Sequence, residues 1–352
     1  MKLNKISISV LALSGSILVA SMTSASAEDV LSIASWGGSY QDAQSKALFQ
    51  PAAKEMGITI KEETYGGMSD VRLRSKSGAT QWDIVASGSG SAARAAAEGL
   101  LEPLDYKVID VSTFYPGLYT EYCVGSDVYS VVDAWNTKTY GENGPRSWAD
   151  FFDVKKFPGT RSLRDKYDIN FQIALLADGV PKEKVYEVLS TDEGMKRALD
   201  KLRELKPHVA VWWKSGAQHA QLMKDGEVDM TTGWNGRFDV VRKDGAKVDY
   251  DFNQGFLDYD CFAIPKGAPH KELAMKFLAK ISEAKIQANL AKYITYGPAN
   301  KKAYENGLID EKVAKTLPSY PANAEKQLRI NLDWYTKYGE KASAMFQEML
   351  TE

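Results

Sequence analysis

Leu31-Ser32-Ile33-Ala34-Ser35-Trp36-Gly37-Gly38-Ser39-Tyr40 joins a short apolar run to an aromatic residue, two glycines and the start of a helical pattern. The run reads as a first strand over 31–35. Ser39, with Asp42 three residues on, reads as a capping box that opens a helix running to Gly57. A strand that turns this tightly into a helix starts a parallel, helix-covered sheet, and Trp36 stands at the strand end, where such sheets hold small ligands. Outward from it, 58–65 reads as a strand, 71–77 as a short helix, 82–87 as a continuous buried strand and 91–101 as an alanine-rich helix ahead of Pro103. The same rhythm returns at 169–177, 182–189, 192–205, 209–213, 217–224 and 228–233, which is enough for a second α/β lobe. Two extended apolar runs, 128–136 and 258–265, interrupt the alternation, and the second leads into an amphipathic helix over 271–293. Taken as crossovers near residues 133 and 262, they make a double hinge with a cleft between two lobes.

The first 27 residues read as an export signal. Met1 to Lys5 carries two lysines, 6–22 is almost wholly apolar or small, and Ala25-Ser26-Ala27 has the small-x-small pattern of a cleavage site. Seventeen residues, among them Ser7, Ser9, Ser14 and Ser16, fall short of the roughly 20 that a membrane span needs. No cysteine follows the run, so the expected product is a soluble periplasmic chain starting at residue 28. Removing Lys2 and Lys5 leaves 42 basic against 46 acidic side chains, a net charge of −4. That balance supplies neither a basic field for nucleic acid nor a polybasic segment for a lipid surface. The remaining 325 residues exceed what one core usually supports.

Cys123 and Cys261 are the only cysteines, and each lies at or just before one of the proposed crossovers. In an oxidising compartment, adjacent crossovers predict a disulfide between them. Catalytic patterns are weak. Gly88-Ser89-Gly90-Ser91-Ala92-Ala93 satisfies a dinucleotide fingerprint formally, but it follows a later strand instead of the first and reads better as a glycine-rich pocket loop. His208, His219 and His270 are scattered without zinc-ligand spacing, and no G-x-S-x-G elbow occurs. No cofactor or metal is implied.

Five stretches taken in order carry a family resemblance: Ile33-Ala34-Ser35-Trp36, Trp82-Asp83-Ile84-Val85-Ala86-Ser87, Ser147-Trp148-Ala149-Asp150, Gly233-Trp234-Asn235-Gly236 and Ala263-Ile264-Pro265-Lys266-Gly267-Ala268. Through them the mature chain resembles the spermidine/putrescine-type substrate-binding proteins of bacterial ABC importers. The resemblance implies an α/β fold of the type II periplasmic-binding-protein kind, an inner-membrane permease as partner, a monomer, and an interlobe ligand site. It assigns 28–132 and 263–310 to lobe 1 and 133–262 and 311–352 to lobe 2. Position by position, it places Trp36, Ser87, Trp234 and Asp260 at the ligand, with Ser39, Ser89, Asp258 and Tyr335 as further candidates. Thiaminase-like relatives of the fold add one enzymatic alternative, with Cys123 as nucleophile, although no histidine lies near it in sequence.

The chain departs from the polyamine-binding pattern at informative places. Lys166 and Ile169 stand where two acidic residues are expected, Asp258 replaces an aromatic, and Arg237 follows Trp-Asn-Gly in place of a small residue. A diamine needs a carboxylate at each end, because an unpaired ammonium taken out of water costs several kcal/mol. An arginine instead offers a planar fork for a carboxylate. Asp260 for an ammonium and Arg237 for a carboxylate would suit a small zwitterion such as γ-aminobutyrate (GABA), with Trp36 and Trp234 packing on its methylenes or ammonium face. Polyamine binding is the alternative. Arg237 could equally be a surface arginine paired with Asp239, Asp260 could merely cap a turn, and Trp82, Trp148, Trp212 and Trp213 read as packing.

Overall fold

The computed structural model describes residues 29–78 and 81–352, so the export-signal reading of 1–27 lies outside the described residues. A twelve-stranded sheet runs through the molecule, and eight of its strands form a continuous path. These are β1 (Val30–Ser35), β2 (Thr59–Thr64), β3 (Ile84–Gly88), β4 (Cys123–Asn136), β5 (Arg161–Arg164), β6 (Val209–Trp213), β7 (Met230–Trp234) and β8 (Phe256–Ala263). Their spatial order is β2-β1-β3-β8-β4-β7-β5-β6. β1 runs parallel to β2 and β3, and β5 runs parallel to β6 and β7. An antiparallel pair, β4 and β8, bridges the two trios and gives the two-lobed α/β architecture.

The hydrophobic pattern explains the parallel trios. Leu31, Ile33, Ala34, Ile84, Val85 and Ala86 are fully buried, as strands covered by helices on both faces must be. β4 is buried along almost its whole length and changes partner as it goes. Its residues from Val124 to Val131 pair with β8, and those from Val131 to Trp135 pair with β7. Asp260 stands opposite Gly88 on one side and Asp127 on the other. The disulfide expected from sequence joins Cys123 to Cys261 across a Cα separation of 5.7 Å and a sequence separation of 138 residues. That bond occupies Cys123, so the thiol-nucleophile alternative falls.

Two local expectations are corrected. The first helix, Gly38–Gln44 continued through a π-helical stretch to Gln50–Met56, has Gly37 rather than Ser39 as its N-cap. Gly37 adopts a φ of 68°, and a Cβ there would meet Thr64 Cγ2 at 2.8 Å. The pair of glycines tightens the turn and draws Ser39 inside the helix. The capping role passes to Gln41, whose Oε1 accepts from the Gly37 N–H at 2.9 Å and from Thr64 Oγ1 at 3.2 Å. The long helix expected over 271–293 instead breaks after Lys271–Ile281 into Ala284–Gln287 and a 3₁₀ segment, Ala288–Lys292. At the break, Asn300 Nδ2 donates to the Ser282 carbonyl at 3.0 Å, and Gln287 Nε2 reaches the Gly125 carbonyl at 3.1 Å. The first of these satisfies a carbonyl that a continuous helix would have used internally, and the second ties the segment after the break to β4.

The C-terminal helix Leu332–Thr351 packs Phe346 against Phe171 and Trp212, while Leu332, at its start, approaches Gly90 to within 3.6 Å of where a Cβ would stand. No helix among the described residues is long and apolar enough to cross a membrane.

Candidate ligand-binding site

The carboxyl ends of β3 and β7, the crossover pair and the starts of the helices Ser89–Ala97, Gly216–Asp225 and Asn235–Lys243 surround a cavity of about 370 Å³. Strand ends and helix starts meet here because each βα turn delivers its helix N-terminus to the same edge of the sheet, the usual ligand edge of open α/β sheets. The cavity has two chemically different walls.

One wall is acidic and stands on the crossover strands. Asp258 and Asp260 lie on β8, and both line the cavity. Asp258 is saturated: Oδ1 accepts from Ser89 Oγ at 2.7 Å and from the Tyr259 N–H at 2.8 Å, and Oδ2 accepts from Tyr129 Oη at 3.0 Å. Asp260 is 8% exposed and takes support from the Trp36 indole and the Tyr40 hydroxyl. Behind it, Asp127 is wholly buried, accepting from Tyr40 Oη and Ser126 Oγ, each at 2.7 Å, while its Oδ1 has no partner. Burial, with Asp127 and Asp258 nearby, raises the Asp260 carboxyl well above the usual carboxylate range. Burial likewise lifts Asp127 to about 7, opposed by the hydrogen bonds from Ser126 and Tyr40. This wall therefore holds more negative potential than it can comfortably ionise, and an arriving cation would relieve it.

The other wall is basic. Arg237, on the first turn of Asn235–Lys243, is 8% exposed and contacts Tyr296. The surface pairing with Asp239 is corrected: Asp239 bonds instead to Arg242 and, at 2.7 Å, to Tyr250 Oη. Gly216, at the start of its own helix, explains how Arg237 is held. A Cβ on Gly216 would come within 2.7 Å of Arg237 Nε and 2.9 Å of the Trp234 ring, so the bare backbone is what lets the guanidinium lie against that helix N-terminus. Further along, Arg164 reaches over Trp234 at 5.1 Å and Trp213 at 5.6 Å, and its Nη1 meets Asp168 Oδ2 at 2.6 Å. Trp213 thus packs in the core and also forms the cavity edge. His219, buried beneath Trp234 and facing Arg237 and Arg164, has its pKa held well below the ordinary histidine value, first by burial and then by those two cations.

Among the sequence candidates, Trp36, Trp234, Arg237, Asp258, Asp260 and Tyr335 line the cavity. Ser87 does not: strand alternation turns it toward Cys261, fully buried, and its neighbour Gly88 faces the cavity. Ser89 lies one step back, donating to Asp258, and Ser39 is absent from the wall because the helix starts earlier than expected. Tyr335 donates to the Asp168 carbonyl and so fixes that segment. Lys166 and Ile169 do line the cavity, with Asp168 between them already ion-paired to Arg164. Gly88, Gly90 and Ser91 form part of the wall, as a pocket loop would. Sequence reasoning missed Tyr40, Asp127, Tyr129, Arg164, Asp168 and Tyr296. An acid in the otherwise largely apolar β4 was a signal that could have revealed Asp127, though Asp133 in the same strand carries the same signal without lining the cavity.

Residues 47–322 match the family of bacterial extracellular solute-binding proteins. The chain belongs to that family. This solute-binding protein is 36% identical over 318 residues to the gamma-aminobutyric acid-binding protein of Pseudomonas aeruginosa, covering 90% of this chain and 89% of that one. It is 26% identical over 315 residues to the spermidine/putrescine-binding periplasmic protein of Escherichia coli K12, covering 86% of each chain. Its structure resembles that of the periplasmic binding protein MotA from A. tumefaciens B6 in complex with glucopine. The TM-score is 0.87 at 44% identity, over 91% of this chain and 99% of the other.

Proposed function

We propose that this protein is the periplasmic solute-capturing component of an ABC importer and that its ligand is a small zwitterion of the amino-acid type, with GABA as the simplest member. One observation carries the reading: Asp260 and Arg237, an acid and a base, are both more than nine-tenths buried, make no ion pair to any described residue, and face the same cavity. A buried charge without a counter-charge costs several kcal/mol, so a ligand bearing both charges completes two sites at once. The ammonium goes to Asp260 beside the Trp36 face, and the carboxylate goes to Arg237 and the helix start at Gly216. The 36% identity to a GABA-binding protein supports the same chemistry. The polyamine reading is the weaker one, because the acid on the distal wall, Asp168, is already neutralised by Arg164.

Membership of a solute-binding family supports capture without transformation, and the bond between the two cysteines leaves Cys123 no free thiol to act as a nucleophile. On this reading a signal over 1–27 is removed on export, 28–132 with 263–310 and 133–262 with 311–352 form the two lobes, and a monomer delivers ligand to a membrane permease. Native mass spectrometry of freshly purified mature protein tests it. The expected co-purified molecule holds both an amine and a carboxylate and is recovered unchanged after denaturation. A diamine, or a chemically altered product, would contradict the reading.

A further inference from the structure

GABA would engage Asp260 and Arg237, and the cavity wall carries a further arginine beside them. Five basic side chains line the cavity, Arg94, Arg164, Lys166, Lys214 and Arg237, against three acids, Asp168, Asp258 and Asp260. Lys166, Lys214 and Arg94 are exposed at the rim, where water screens them. Arg164 is different. Its side chain is only 22% exposed, its guanidinium is held over the rings of Trp234 and Trp213, and of its donors Nη1 is taken by Asp168. Its Nε is enclosed by protein and has no hydrogen-bond partner. Nη2 makes no hydrogen bond to a described residue, and Arg164 lines the cavity, so a stacked guanidinium fixed on one side by Asp168 keeps one donor for an incoming oxygen.

The cavity volume points the same way. About 370 Å³ falls within the roughly 300–1,000 Å³ of sites that hold drug-sized ligands, and it is roomy for an amino acid as small as GABA. We propose that the physiological ligand carries, besides the ammonium and carboxylate held by Asp260 and Arg237, a second anionic arm that reaches Arg164. The ligand class is then an N-substituted or extended amino acid with two acidic groups, and Arg164 is the residue that selects it over GABA. This rests on the zwitterion reading and deepens it.

The test is calorimetry on the mature protein with GABA and three matched dicarboxylates: N-carboxymethyl-, N-(2-carboxyethyl)- and N-(3-carboxypropyl)-GABA. N-(2-hydroxyethyl)-GABA serves as the uncharged-arm control and putrescine as the diamine. The expected result is that at least one dicarboxylate binds about tenfold or more tightly than GABA, roughly the size of one good charged hydrogen-bond pair, while the hydroxyethyl compound does not. In Arg164→Gln the ratio of dicarboxylate to GABA affinity should collapse to about one. The double variant Arg164→Gln/Asp168→Asn, which leaves no orphaned acid, should show the same collapse, and Arg164→Lys should retain part of the preference. Thermal unfolding of each variant establishes that it is folded. If GABA binds and no dicarboxylate exceeds it, or if the preference survives Arg164→Gln, the second arm is overturned while the zwitterion reading stands. If putrescine outcompetes every amino acid, both readings fall together.

Discussion

The two walls of the cavity are built in opposite ways. Asp258, Asp260 and Asp127 sit on the crossover strands β8 and β4, inside an antiparallel ladder closed by the Cys123–Cys261 disulfide. Arg164 closes β5 and Arg237 stands just past the end of β7, and they are positioned by packing: tryptophan rings under the first, Gly216 against the second. The acidic anchor belongs to the frame, and the basic anchors depend on small residues and aromatic faces. The contrast teaches that the same ligand can be lost by two routes, through removal of a charge or through a change in shape. The walls should respond differently to each.

Removing charge should have the largest effect, and it should be symmetric. Asp260→Ala and Arg237→Ala each truncate one partner of a buried charge contact, which typically costs about 2–5 kcal/mol, or affinity losses of roughly thirty-fold to a few thousand-fold. Calorimetry with GABA reads this directly. Thermal unfolding of the ligand-free Asp260→Ala protein should show no matching loss, because the removed carboxyl is already strained by burial. A large loss from one variant and none from the other would break the comparison.

Shape should separate the walls. Gly216→Ala would place a methyl within 2.7 Å of Arg237 Nε, whereas Gly88→Ala on the acidic side meets nothing nearer than Asp260 Oδ1 at 3.6 Å, an ordinary contact. We expect Gly216→Ala to weaken GABA binding by about tenfold or more, in the 1–3 kcal/mol range of overpacked sites, and Gly88→Ala to cost less. Equal effects would mean that Arg237 is not held by that close approach.

Protons should report on the two walls with opposite signs. The folded-state pKa of Asp127 is raised to about 7, so the stability tied to its protonated form is complete below the unfolded value near 3.8 and is lost as the pH rises toward 7. Asp260 shifts in the same direction. His219 works against them: its depressed pKa gives stability that is present above about 6.5 and lost as the pH falls below it. Ligand ammonium should drive ionisation of Asp260, so calorimetry in two buffers of different ionisation enthalpy near pH 6.5 should show proton release on binding. Asp260→Asn should abolish the release.

The smallest effect on affinity is expected from the disulfide. Cys123→Ala/Cys261→Ala should cost about 2–4 kcal/mol of stability in denaturant unfolding and change affinity by less than about threefold, because the bond lies behind the acidic wall. Thiol titration of the denatured, unreduced wild-type protein should find no free thiol.

Much of this architecture is legible in one dimension. The strand runs of both lobes, the glycine turns beside Trp36 and Trp234, and the isolated charges Arg237 and Asp260 are local signals. Local period does not reveal which distant strand a residue will face. Asp127 enters the site only because β4 pairs with β8, more than a hundred residues away, and Ser87 leaves it because alternation sends Gly88 inward instead. Arg164 and Asp168 form an i,i+4 pair that looks like ordinary surface electrostatics until the rings of Trp213 and Trp234 are placed beneath it. Ser39 was displaced by two glycines whose turn geometry overrode a capping pattern.

The claim that one ligand bridges an acidic and a basic wall is tested most directly by displacement calorimetry of GABA against putrescine on wild type and Arg237→Gln. The account predicts that wild type prefers GABA and that Arg237→Gln loses GABA binding by about thirty-fold or more while putrescine is not weakened, since only the carboxylate needs the guanidinium. Preferential binding of putrescine by wild type, with GABA affinity unchanged in Arg237→Gln, would contradict it.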